Sequence, residues 1–367
     1  MTDYKNVRYK YPTVTLSGAT EGSPAEGDIW YDSGKFYLGT SQTFTSVWSS
    51  GGNLATAREA PAGAGTQSAG LCAGGDDDSG KLNGTEEYDG SAWSSGGSLG
   101  TASYTLAGCG TQSAGLCMGG DTGSLSNVTE EYDGSSWSSG GTLATARDRI
   151  AGAGTQSAGL CMGGWSGVYS NVTEEYDGST WTSGGNLGTA RRYLAGAGTQ
   201  SAGLCAGGYV SAASNITEEY NGSAWSSGGN LATARNSLAG AGTQTAGLCM
   251  GGTTGSASNV TEEYDGTSWS AGGNLATARI NLAGAGTQSA GLSIGGNGPS
   301  DVTEEYDGTS WSSGGNLGTA RHQLAAAGTQ SAGLCMGGND GSDSNATEEY
   351  SAGTGSYDEL FTLSQGL

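Results

Sequence analysis

The sequence predicts an all-β protein dominated by a seven-bladed β-propeller of four-stranded antiparallel blades, and three observations predict it. A Trp recurs seven times at intervals of 42 to 45 residues, at Trp48, Trp93, Trp137, Trp181, Trp225, Trp269 and Trp311. A Gly-Gly pair begins 26 residues after each Trp, from Gly74 in the first repeat to Gly337 in the last. A TEEY segment follows, its Tyr lying 10 to 13 residues beyond the pair, from Tyr88 to Tyr350. A period of this length marks a repeat architecture with one supersecondary unit per repeat.

Each repeat supplies four short β-prone runs separated by Gly, Asn, Asp and Ser clusters. The first strand is the LAGAG run, the second AGLCMGG, the third NVTEEY and the fourth the run around Trp. Thr-Gln between the first two suits a tight hairpin, and DGSS before Trp suits a turn with Gly at positive φ. No stretch carries helical periodicity with caps. Four antiparallel strands per repeat make one propeller blade.

Counting also predicts how the ring closes. The last TEEY is followed by SAGTGSYD rather than DGSSW, so the seventh repeat lacks its own Trp strand, whereas TSVWSSGG precedes the first repeat. Residues 44 to 50 are therefore expected to form the outer strand of the blade built from residues 322 to 350. That pairing removes an unsatisfied sheet edge.

Composition narrows the setting. With 72 Gly and 34% hydrophobic residues the chain is poor in core-forming side chains, but their periodic placement argues for order. A net charge of -22 makes nucleic acid an unfavourable partner. There is no apolar run of 18 residues and no charged-then-apolar leader, so neither membrane insertion nor an export signal is expected.

Repeated chemistry reads as scaffold. Cys72, Cys117, Cys161, Cys205, Cys249 and Cys335 share one strand position, which Ser293 takes in the sixth repeat. Equivalent positions on neighbouring blades lie too far apart for disulfides, so these are expected to be small buried side chains and not metal ligands. The two carboxylates of each TEEY segment resemble an acid-base pair, but an active site needs asymmetry and these recur in every blade. One Glu of each pair is expected to face a neighbouring blade and the other solvent. The natural partner of the inward one is the Arg of the segment after each Trp: Arg58, Arg147, Arg191, Arg235, Arg279 and Arg321, with Ser103 at that position in the second repeat. Sequons such as Asn127-Val128-Thr129 recur with the third strand and read as repeat chemistry rather than glycan sites.

These features resemble the kelch family of β-propellers, whose repeat carries a hydrophobic run ending in Gly-Gly, then Tyr and Trp at set distances, then Arg. The resemblance covers residues 44 to 350. The chain departs from the family pattern at Ser103, at the Pro common before the Arg, and in its Gly- and Ala-rich strands. An oxidase of the galactose oxidase kind would need several His and Tyr ligands, and His322 is the only histidine. A sialidase would need an Arg cluster and Asp boxes, and DGSSW is one residue too short for that box. The expectation is no enzymatic activity, no catalytic residues, no cofactor and no metal.

Variation between repeats is confined to two segments, the loop joining the second and third strands and the two residues after each Arg. In a four-stranded meander both emerge on the same face. One face is thus uniform and the other individualised, as on a repeat scaffold with a recognition surface. The third and fourth repeats place Arg149, Trp165, Tyr169, Arg192, Tyr193 and Tyr209 there, expected to be neighbours across one blade boundary. Aromatics with Arg are typical of binding hot spots and sugar platforms. The first repeat carries Asp76, Asp77, Asp78 and Lys81, where the Asp run reads as a solvated loop with binding as the alternative.

Residues 1 to 43 form an aromatic, β-rich segment outside the repeats, basic at its start through Lys5, Arg8 and Lys10, and residues 351 to 367 a short tail. GDIWYDSGKFYLGT resembles small β-modules of tailed-phage fibres, and the GTQSAGL and TEEYDGSSW segments are similar to kelch-like virion structural proteins of marine phages. The resemblance implies a virion protein (a tail, fibre or capsid accessory) that docks onto other virion proteins through residues 1 to 43. Its variable face would then meet a host cell-surface glycan or protein. The alternatives are a purely structural decoration protein and a soluble kelch interaction module.

Overall fold

A computed structural model describes residues 46–353 in full and the backbone of three further strands, Ile29–Asp32, Lys35–Leu38 and Asp358–Thr362. The chain divides into two units, Met1–Thr45 with Gly353–Leu367, and Ser46–Ala352. In the smaller unit the three strands form one antiparallel sheet, with Lys35–Leu38 in the middle. The C-terminal segment thus contributes a strand to the N-terminal hairpin. Most of residues 1 to 43, including the basic stretch expected to make the attachment, lies outside the described residues.

The larger unit is a seven-bladed propeller of four-stranded antiparallel sheets. Blade 1 comprises Ala62–Thr66, Ala69–Ala73, Thr85–Tyr88 and Trp93–Ser95, paired in that order, and the pattern recurs through blades 2 to 6. Blade 7 takes Ala325–Gly328, Ala332–Met336 and Thr347–Ser351 from the end of the repeats and Val47–Ser50 from their beginning. The register sets Trp48 against Tyr350 and Ser50 against Glu348, which is the closure expected from counting. The first strand of every blade packs on the first strand of the next, and that of blade 7 on that of blade 1, so these strands surround the axis.

The small residues have a packing reason. A Cβ on Gly70 would stand 2.5 Å from Cδ2 of Leu334 on blade 7, and one on Gly63 would stand 2.9 Å from Cβ of Ala325. Leu334 and its equivalents fill the space that glycine leaves on the next blade and are almost completely buried. Each contributes roughly 1.5–3 kcal/mol of burial. The core is therefore distributed over seven blade boundaries, each with its own cluster of Ala and Leu with Cys or Met, joined in five of them by a buried Tyr.

Polar side chains tie each boundary. Gln67, in the two-residue turn of the first hairpin, donates its amide to the carbonyls of Gly333 and Tyr350 on blade 7, at 3.1 and 2.7 Å. Trp93 donates its indole N–H to Thr347 Oγ1 at 2.8 Å and stacks on Tyr88 at 5.0 Å between centroids. Both bonds recur at every boundary. Asn127 of the sequon donates to the Leu143 carbonyl at 3.2 Å, a structural use of that amide. All seven Cys are free, and Cys109, on the first strand of blade 2, is the one that is only half-buried.

Both TEEY carboxylates enter blade boundaries, which corrects one expectation. The first Glu is buried in every blade and, in all but blade 2, pairs with the Arg, as in Arg191 Nη2 to Glu218 Oε1 at 2.8 Å. The second does not simply face solvent. It is half-buried at the next boundary, where Tyr88 donates to Glu349 at 2.6 Å, Tyr220 to Glu175 at 2.8 Å and Tyr264 to Glu219 at 2.8 Å. A strand inside a propeller has a neighbouring blade on each face, so alternation sends both side chains into boundaries.

Candidate ligand-binding face

The buried Arg explains why the variable segments meet. Arg147 arrives from the link after blade 2 and donates through Nη1 to the carbonyls of Gly163 and Val172, at 2.8 and 2.7 Å. Those carbonyls flank the loop between the second and third strands of blade 3. The guanidinium thereby clips the link to the base of that loop, and Nη2 completes the clip on Glu174 at 2.8 Å. The residue after the Arg then forms an isolated backbone bridge with the loop: Asp148 with Trp165, Arg192 with Tyr209, Glu59 with Asp76. Link and loop share one face, as the sequence requires.

The next residue along has an unusual conformation in all seven blades. Ala60, Thr105, Arg149, Tyr193, Ser237, Asn281 and Gln323 have φ between 47° and 55°, although none is glycine. Left-handed backbone costs a non-glycine residue roughly 1–2 kcal/mol, and such strain clusters at ligand sites. Part of the ring is joined directly: Ser237 N–H donates to Tyr193 O, Asn281 to Ser237, and Ala60 to Gln323, at 3.1, 3.2 and 2.9 Å. These residues form a collar, and together with Pro61, Tyr104 and a Leu or Ile from most blades they line a funnel of about 750 Å³ on the propeller axis.

One sector of the funnel rim carries the six aromatic and basic residues singled out in the sequence. The Arg192 guanidinium lies 4.8 Å from the Trp165 ring centre, 5.6 Å from Tyr169, 5.1 Å from Tyr193 and 5.8 Å from Tyr209. Trp165 and Tyr169 meet edge to face at 5.3 Å, and Tyr169 and Tyr209 at 6.0 Å. Arg149 packs over Tyr193 at 5.6 Å and pairs with Asp148 at 2.7 Å. Burial pushes the Asp148 carboxyl up, and the Arg149 charge opposes that shift. Arg192 has no carboxylate within ion-pair distance among the described residues. Val168, at 66% exposure, and Tyr193, at 38%, present this sector to solvent.

The Asp run lies apart, separated from the aromatic sector by blade 2. Asp76 bridges Glu59 through its backbone, and Asp77 Oδ1 accepts from the N–H groups of Ser79 and Gly80, at 2.9 and 3.0 Å, closing a small hairpin with Lys81. Across the boundary, burial and the charges of Glu59, Asp78 and Asp76 push Asp343 up to about 6. The rim is therefore polarised, with an acidic sector at blades 7 and 1 and a basic, aromatic one at blades 3 and 4. Among the described residues no group of three or more His, Cys, Asp or Glu is arranged to hold a metal ion.

Sequence reasoning located the two variable segments but named only three of the fourteen link residues as ligand contacts. Ala60, Thr105, Ser237, Asn281 and Gln323 carry nothing in their side chains that signals a left-handed backbone. Their constant position two residues after the Arg, or after Ser103, is the signal that would have found them. The comparisons with known proteins add no identity to this geometry: no family model matches the chain, and no curated protein matches it.

Proposed function

We propose that this protein is a non-enzymatic binding module whose ligand docks in the axial funnel and against the aromatic and basic sector of blades 3 and 4. A β-propeller suits a protein-binding module. The observation that carries the reading is Arg192, a cation held among four aromatic rings and without a carboxylate partner among the described residues, at the edge of a preformed cavity. Aromatic faces stack on sugar rings or apolar side chains, and a guanidinium adds directional donors for a carboxylate or hydroxyl. A glycan bearing an acidic group, or an acidic protein loop, fits this chemistry. The repeated carboxylates support a non-catalytic role, because the first of each pair is held by backbone donors and, outside blade 2, by Arg, and the second accepts from Tyr in three blades.

The proposal extends to setting: a virion structural protein of a tailed phage, held through residues 1 to 43 and presenting the funnel to a host surface. The support is the resemblance of GDIWYDSGKFYLGT and of the repeat segments to virion proteins. Two measurements test the two parts separately. Quantitative mass spectrometry of purified particles should find the protein in fixed stoichiometry, lost when residues 1 to 43 are deleted; absence from particles sinks the virion assignment. Glycan-array and cell-surface binding of the full chain should fall at least about tenfold in Arg192→Ala and in Trp165→Ala, the size expected for a hot spot. Unchanged binding in both would move the ligand elsewhere and favour a structural decoration role.

A further inference from the structure

Blades 1 and 3 to 7 seat an Arg guanidinium in one and the same buried pocket, and blade 2 builds that pocket without the Arg. In blade 4, Arg191 donates to the carbonyls of Gly207 and Ile216 and to Glu218, at 2.7, 2.5 and 2.8 Å. The corresponding acceptors in blade 2 are Gly119, Val128 and Glu130. The residue at the Arg position is Ser103, whose hydroxyl reaches only the Gly119 carbonyl, at 3.4 Å. A cavity of about 10 Å³ results, lined by Thr101, Ser103, Cys117, Gly119, Val128 and Glu130 among others.

Glu130 has kept its place without its partner. It is 6% exposed, and its carboxylate accepts the backbone N–H groups of Gly100 and Thr101 at 2.6 and 3.1 Å. No cationic side chain reaches it within 4 Å among the described residues; Lys81, on the loop of the neighbouring blade 1, pairs instead with Asp121 at 3.7 Å. Cys117 registers the same difference. Burial pushes its thiol well above the ordinary value, with Cys109 and then Glu130 adding to the shift, whereas in Cys161 the Arg147 charge works against it.

We propose that blade 2 binds a small monovalent cation, of the ammonium or alkali-metal class, where the other blades hold a guanidinium. The donor set is all oxygen: one buried carboxylate, two backbone carbonyls and the Ser103 hydroxyl. Hard monovalent cations and ammonium take such ligands, while a single carboxylate is a poor site for Ca²⁺ or Mg²⁺, which gather more charge or more water. The cavity admits a guest of about the size of one water, which selects against larger organic cations. A charge bound there would relieve the burial of Glu130 and clip the link to the loop of blade 2, as Arg does elsewhere.

Thermal unfolding of the full chain tests this at matched ionic strength of about 0.1 M in the chlorides of sodium, potassium, ammonium and choline. At least one small cation should raise the melting temperature over choline by on the order of 2 °C. Ser103→Arg should erase that difference while melting higher than the wild type in choline. Equal melting in all four salts would mean that the cavity holds only water and would overturn the proposal. A salt difference that persists in Ser103→Arg would place the ion elsewhere and overturn it equally. Should that variant fail to fold, Glu130→Gln provides the same readout: the difference must vanish when the charge is removed.

Discussion

Arg191 is fully buried and spends its guanidinium on two carbonyls and on Glu218, while its Nε has no partner. Such a pair is weak evidence for net stability, because desolvation opposes the attraction. Removing one member is different. Arg191→Met should lower the unfolding free energy by about 3–5 kcal/mol, read by urea denaturation, because Glu218 would be left buried and uncompensated. Replacing both members by apolar residues should cost much less. Asp343 supplies a pH signature at the same scale. Its folded pKa of about 6 stands above the normal 3.8, so the folded chain holds a proton that the unfolded chain releases. Stability contributed by this group therefore falls as pH rises from about 4 to 6. Asp343→Asn should flatten that decline and raise the melting temperature at pH 7 while leaving it nearly unchanged at pH 4.

At the scale of the element, each link between blades performs two tasks with adjacent residues. Its Arg clips it to the next blade, and the residue two places on turns left-handed to form the collar. Backbone strain there belongs to the link and is independent of which side chain is present, since Ala60, Thr105 and Tyr193 share it. Ala60→Gly and Ser237→Gly should consequently stabilise the fold by up to about 1 kcal/mol each, the relief of a left-handed conformation less the added backbone entropy. Asn281→Gly should gain less, because Asn tolerates this region. Chemical denaturation of the three variants decides the matter; equal losses of stability would mean that the collar side chains, not the backbone, hold the rim. The strand pattern itself was legible in the sequence, including the Gly of each DGSS turn, which has φ near 90° in every blade that carries it. The engagement of the second TEEY carboxylate was not, because strand alternation says that a side chain leaves the sheet but not what stands there to receive it.

The whole molecule depends on a closed ring. Val47–Ser50 covers the edge of Thr347–Ser351, and Trp48 donates to Thr303 on blade 6 at 2.9 Å while stacking on Tyr350. Trp48→Ala should cost roughly 3 kcal/mol and should lower the melting temperature of the entire propeller rather than of blade 7 alone. Two separate transitions by calorimetry would contradict that cooperative closure. At this scale the sequence alone determined the number of blades, the order of strands, the way the ends meet and the membership of the variable face. All of these follow from spacing, and spacing is written in one dimension. Only the tertiary structure decided that the collar residues adopt positive φ, that Arg192 sits among four rings, that the rim is acidic on one side and basic on the other, and that Glu130, whose missing Arg the repeats already showed, stays buried beside a cavity. Each of these depends on which side chains of different blades meet around the axis, a relation between distant residues that no local pattern encodes.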